Sequence, residues 1–245
     1  MRKIFITGGA GFIGSSLALK LKSNYKVHIF DLKKKIKNMK INLKDCKFII
    51  GDITKTSSFS KLDKDYDLVF HLAAKTSSSV AESRPNECFD HNVIGVYNLV
   101  NWVNKIKPKY LIFSSSMSVY GKIANKISET NICKPISVYG KSKLLGENIL
   151  KLMTNIKTKL IILRLFNVYG PNQDFNNLKQ GMLSIYLAQI YKRRKVLVTG
   201  SLDRYRDFVF VDDVVKALIN FKKFKNRNIY NIGTGKKVKV KYLIN

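Results

Sequence analysis

Residues 4–14, reading I-F-I-T-G-G-A-G-F-I-G, constrain this 245-residue chain more than any other stretch. Residues 2–7 are an apolar, β-branched run of strand length, and residues 12–21 carry apolar side chains at helical spacing, so the glycines fall at a strand-to-helix corner. Gly8 can take the positive φ of a tight turn, Gly11 lets backbone N–H groups approach an anion, and Gly14 removes a side chain where helix meets sheet. Phe12 and Ile13 open the helix, whose N-terminal N–H groups carry partial positive charge. Such a corner is built to hold a pyrophosphate.

The spacing is G-x-x-G-x-x-G, one residue off the usual dinucleotide fingerprint, so a second signal is needed. Asp31 supplies it. It closes the apolar run 26–30, where an acid accepts hydrogen bonds from adenosine ribose hydroxyls and repels a 2′-phosphate, which favours NAD. Lys33, Lys34 and Lys35 leave NADP open. A third run, 46–50, is closed by Gly51-Asp52-Ile53, with Asp52 placed to meet the adenine. The fourth, 68–70, ends at His71-Leu72-Ala73-Ala74, whose small residues let a dinucleotide pass; His71 reads as a strand-end histidine, and no metal site is expected.

Residues 86–105 form a helix with Phe89, Val93, Val96, Val100 and Val103 along an apolar stripe, and 110–113 a fifth strand that delivers Ser114-Ser115-Ser116 to its carboxyl end. A helix over 137–154 carries Tyr139 and Lys143, and 159–165 is a sixth strand. Strand and helix alternate throughout, which predicts an α/β fold with a doubly wound, Rossmann-like parallel sheet over a dinucleotide-binding domain of residues 1–167. Beyond Asn167 the rhythm changes to a helix over 180–191, a short strand over 196–198, a strand over 208–211, a helix over 212–221, a strand over 229–232 and a helix opening at 240–245. Residues 168–245 therefore read as a smaller, shortened substrate lobe, some of whose elements return to the first domain.

Tyr139 and Lys143 are four residues apart, so both side chains lie on one helix face. Free tyrosine is a poor base at neutral pH, but a neighbouring ammonium and an oxidised nicotinamide both favour the phenolate. Ser116 can then hold the same substrate oxygen.

Taken together, T-G-G-A-G-F-I-G, Asp31, G-D-I, H-L-A-A, S-S-S-M-S-V-Y-G, Y-G-K-S-K, R-L-F-N-V-Y-G-P and R-D-F-V-F-V-D-D resemble the extended short-chain dehydrogenase/reductase family. Within it the likeness is to the NAD-dependent epimerases and dehydratases, the UDP-hexose 4-epimerase branch above all. The resemblance runs the length of the chain. It implies a tightly held NAD, Tyr139 as base, Lys143 on the nicotinamide ribose, Ser116 on the reacting hydroxyl, Asn167 touching a nucleotide sugar and Arg206 pairing with its diphosphate. It also implies a homodimer built on the 86–105 and 137–154 helices. Family dehydratases carry an Asp-Glu pair where Met117 and Ser118 stand here, so elimination would lack its acid and base. A reductase or another epimerase of the family, and a non-catalytic protein binding NAD(P), RNA or a partner, are the competing readings.

The formal charge of +29 is the one anomaly. The lysines are spread along the chain with no aromatic-interleaved motif, so nucleic-acid binding is not expected as the main function. No apolar run has the length of a membrane span and no signal peptide is visible, which predicts a cytoplasmic protein; Cys46, Cys88 and Cys133 suit reduced thiols.

Overall fold

The computed structural model describes residues 1–123, 126–175 and 181–244. Its first half alternates β1 (Lys3–Thr7), α1 (Phe12–Leu21), β2 (Lys26–Asp31), α2 (Lys33–Lys37), β3 (Lys47–Ile50), α3 (Ser57–Ser60) and β4 (Leu68–His71). Then come α4 (Ser78–Ser83), α5 (Pro85–Phe89), a π-helical turn (Asp90–Ile94), α6 (Gly95–Ile106), β5 (Tyr110–Ser116), a 3₁₀ turn (Met117–Tyr120), α7 (Val138–Met153) and β6 (Lys159–Leu165). The remainder holds β7 (Asn167–Tyr169), α8 (Met182–Arg193), β8 (Tyr205–Arg206), β9 (Phe208–Phe210), α9 (Val211–Ile219), β10 (Asn228–Ile232) and β11 (Val238–Lys239).

Seven strands form one parallel sheet in the order β10-β6-β5-β4-β1-β2-β3. Both faces of the central strands are covered, which is why β1, β4, β5 and β6 carry continuous apolar runs rather than alternating with polar residues. On one face Leu17, Ala18 and Leu21 of α1 and Val214, Val215 and Leu218 of α9 pack over Ile4 and Ile6. Val96, Leu99, Val100 and Val103 of α6 and Leu150 of α7 cover Phe5, Val69 and Leu111 on the other. The sheet is a three-layer sandwich of the doubly wound kind.

Three expectations change. The single helix over 86–105 is broken by the π turn, because the Asn92 side chain is drawn inward to partners on two other segments. Phe89 then leaves the stripe and is 46% exposed. Residues 196–198 form no strand: no neighbouring strand offers a ladder there, and the Leu197 N–H bonds the Gln189 side chain instead (2.8 Å). The last expected helix is one 3₁₀ turn, Val240–Leu243, with Asn245, like Gln180 at the start of the 180–191 helix, outside the described residues. The elements of the C-terminal third that return to the first layer system are β10, which joins the large sheet beside β6, and α9, which packs against α1. What remains beside it are the two short strand pairs β7–β9 and β8–β11 and helix α8.

Candidate active site

The strand order reverses between β1 and β4, and a doubly wound sheet opens its crevice where two such carboxyl ends diverge. A cleft of about 2120 Å³ starts there and runs across the ends of the strands to β7 and β8. It is lined by Gly8, Gly11, Phe12, Ile13, Gly14, Asp31, Asp52, Ile53, Leu72, Ala73, Ala74, Ser116, Tyr139, Lys143, Asn167 and Arg206.

At the switch point the backbone leaves no room for side chains. Gly8 sits at φ +69°, and a Cβ there would lie 2.6 Å from the Ala73 backbone nitrogen; a Cβ on Gly14 would run into the Gly8 carbonyl oxygen. The Gly11 N–H closes the turn onto that same carbonyl (3.0 Å), and Gly11 caps α1 without a side-chain bond. The first-turn N–H groups of α1 thus have no intrahelical acceptor and face the cleft, a cradle suited to a pyrophosphate. Asp31 stands at its rim, its Oδ2 accepting from the Ala10 N–H (3.1 Å) and its Oδ1 from the Leu32 N–H (2.8 Å). Burial raises its pKa, while those two N–H groups and Lys35 oppose the rise. Asp31 therefore also fastens the glycine turn to β2, a role the spacing did not reveal.

Asp52 folds back on its own turn, with Oδ1 accepting from both the N–H and hydroxyl of Thr54 (2.9 Å each). Ile53 is buried against Gly95 and belongs as much to the core as to the cleft. His71 is fully buried; its Nδ1 meets Thr7 Oγ1 at 2.6 Å, tying the ends of β4 and β1 together. Burial, then Lys143, lowers its pKa to about 3, so it stays neutral.

The opposite wall carries Ser116 at the end of β5 and Tyr139 and Lys143 on the first turns of α7, which Ser137 caps by accepting from the Gly140 N–H (3.0 Å). Tyr139 and Lys143 are both buried. Desolvation pushes the Tyr139 phenol up to about 12, with the Ser116 hydrogen bond pulling it back, and brings the Lys143 amine down to about 7. The protein's own groups therefore do not acidify the phenol as the four-residue spacing suggested, because both members of the pair lose water together. Lys143 Nζ lies 4.2 Å from the Phe113 ring centroid and has no hydrogen-bond acceptor among the described residues. A buried amine without an acceptor, facing a glycine cradle across one cleft, fits the ribose hydroxyls of a dinucleotide.

Further along, the Asn167 side-chain nitrogen is committed to the Asp207 carbonyl (2.8 Å), which leaves its Oδ1 for a ligand. Arg206 on β8 bonds the Tyr205 carbonyl (2.7 Å), and burial followed by Arg204 lowers its pKa. No carboxylate among the described residues pairs with it. Its neighbour Asp207 holds the 234–235 loop through Thr234 and Gly235.

Asn92 escaped the sequence reading. Its side chain accepts from the Lys75 N–H (2.8 Å) and donates to the Lys75 carbonyl (2.9 Å) and to Ser142 Oγ (2.9 Å), so the π turn clamps the post-β4 segment against α7. The signal was the motif Asn92-Val93-Ile94-Gly95 in a helix otherwise apolar on that face.

Residues 4–233 match the NAD dependent epimerase/dehydratase family. The chain belongs to that family. NAD is its cofactor, and the cradle, Asp31 and Lys143 are the residues here that fit it. A relative from Methanocaldococcus jannaschii is 36% identical over 245 residues, covering 98% of this chain and 79% of its own. Human dTDP-D-glucose 4,6-dehydratase is 32% identical over 247 residues, 95% of this chain and 69% of the relative. The solved UDP-glucose 4-epimerase of Thermotoga maritima with UDP-glucose superposes with a TM-score of 0.88 at 30% identity, covering 99% of this chain and 80% of that one. Among the described residues no helix is long and apolar enough to cross a membrane.

Proposed function

We propose that this protein is a sugar-nucleotide epimerase that interconverts the C4 epimers of a UDP-hexose through a transient 4-keto sugar. The observation that carries the reading is that Ser116, Tyr139 and, one helical turn on, Lys143 line one wall of the cleft that begins at the glycine cradle. In this reading Ser116 holds the 4-hydroxyl oxygen and Tyr139 Oη takes its proton. Lys143 anchors the ribose, as Asn167 and Arg206 hold the sugar nucleotide and its diphosphate. Bound NAD supplies the hydride acceptor and, in its oxidised form, positive charge. Once the ketone has turned over in the cleft, Tyr139 returns the proton, and the net redox change is zero.

Elimination, the chemistry of the human relative, is disfavoured by the two residues after Ser116. Met117 offers a thioether, and the Ser118 hydroxyl is engaged with Ser116 (3.2 Å), so neither supplies the acid or base of a dehydration. Exposed Tyr97 on α6 and Leu145 and Leu152 on α7 support a homodimer through these helices, which sedimentation would register as a doubled mass and contradict as a single one.

The test is incubation of the purified protein with UDP-glucose, UDP-galactose and their N-acetyl forms, without added NAD. Interconversion of at least one C4 pair is expected. Absence of any epimer from a preparation that holds NAD, joined to salt-sensitive RNA binding, would favour the non-catalytic reading instead.

A further inference from the structure

Below Tyr139 and Lys143, α7 carries a third polar residue at the same four-residue spacing. This is Glu147, 0% exposed. Its carboxylate accepts from Arg164 Nε (2.9 Å) and Nη2 (2.7 Å) and from Ser115 Oγ (2.5 Å). Arg164 is 2% exposed, stands opposite Ser115 in the β5–β6 register, and lays its guanidinium 4.7 Å over the Tyr120 ring. Tyr120 ends the 3₁₀ turn that follows Ser116, and its hydroxyl donates to Asn231 Oδ1 on β10 (2.7 Å). A charge network therefore joins α7, β5, β6 and β10 directly under the reacting face.

Stability alone does not account for it. Burying an ion pair costs several kcal/mol of desolvation, and apolar side chains of similar volume often serve as well or better. We propose that the Glu147–Arg164 pair is the positioning element of this site: it fixes the Tyr139–Lys143 face of α7 against the Ser116 end of β5, with the Glu147 carboxylate as the counter-charge on the Lys143 side. The assignment rests on reading Tyr139 and Lys143 as the reacting pair, but its first test needs no turnover.

Lys143 and Glu147 are neighbours one turn apart. Burial brings the amine down to about 7, and Glu147 is the largest influence holding it up. The other titratable groups facing it are Tyr139 on its own helix, Cys88 on α5, which also raises it, and His71 at the end of β4, which stays neutral. Arg164 stands behind the carboxylate on β6.

Lysine ¹³Cε NMR titration of the purified protein reads the amine, with the Lys143 signal assigned by its disappearance in Lys143→Met. Glu147→Gln is expected to move the Lys143 midpoint down by about one pH unit or more, since an adjacent opposite charge is worth about 1–3 units. The alkaline limb of the epimerisation rate should move in the same direction with little change in KM. Glu147→Asp, which keeps the charge, should recover part of the shift. Glu147→Leu combined with Arg164→Met keeps the site filled and apolar and removes the carboxylate without leaving an unpaired guanidinium, so it should fold and show a smaller downward shift that Glu147 alone accounts for; it decides the matter if the single variant does not fold. A folded Glu147→Gln or double variant whose Lys143 titrates as in the unmodified protein would overturn the proposal, whatever its thermal stability and whether or not it epimerises a sugar.

Discussion

Replacing Tyr139 with phenylalanine should lower turnover by about 10²–10⁴-fold, the usual contribution of a positioned acid–base group, while leaving the fold in place. The ring is packed with Ala81, Cys88 and Val138, and phenylalanine keeps all of that contact. Only the hydroxyl is lost. Removing a hydroxyl whose burial raises its pKa to about 12 also takes away a desolvated polar group, so the thermal midpoint should shift by only a few degrees. The loss should fall on kcat, with KM for the UDP-hexose changing little, because the phenol acts on the proton in flight rather than on the bulk of the substrate. Steady-state rates and a melting curve on the same preparation check both halves. A variant that retains the parent rate would remove Tyr139 from the proton path.

A comparably large effect is expected from Gly8→Ala, through the cofactor. The residue's φ of +69° costs an alanine roughly 1–2 kcal/mol, and the new methyl would stand 2.6 Å from the Ala73 nitrogen, too close for either atom to keep its place. Relief requires the carboxyl ends of β1 and β4 to part, which are the ends that form the pyrophosphate cradle and are tied by Thr7 and His71. Extraction and chromatography of the purified variant should find NAD content reduced about tenfold or more, as a loss of about 1.4 kcal/mol in affinity would give, together with a lowered melting midpoint. Parent NAD content with an unchanged midpoint would mean that the turn is not where the cofactor is held.

The parts of the fold that were legible in the sequence are those whose pattern is local. Helix α1 and strand β6 occupy the residues that helical spacing and a continuous apolar run mark, and the glycine turn between β1 and α1 needs no distant partner to be recognised. Tyr139 and Lys143 could be placed on one face because a helix fixes their relation. The π turn could not, since it depends on Asn92 reaching Lys75 and Ser142, 17 and 50 residues away. The same holds for the place of β10 beside β6 and for the Glu147–Arg164 pair, two charged residues that nothing local marks as buried partners. Charge state was the least legible property. Spacing suggested an acidified phenol, whereas desolvation, set only when the layers close over α7, moves Tyr139 up and Lys143 down.

The account stands on a proton leaving the sugar 4-hydroxyl to Tyr139 while the C4 hydrogen departs and returns within one cleft that exchanges nothing with water. UDP-hexose carrying deuterium at C4, turned over in ordinary water and examined by NMR, tests this most directly. The account predicts an epimeric product that retains the deuterium at C4. Epimer carrying a solvent-derived hydrogen at that carbon would contradict it.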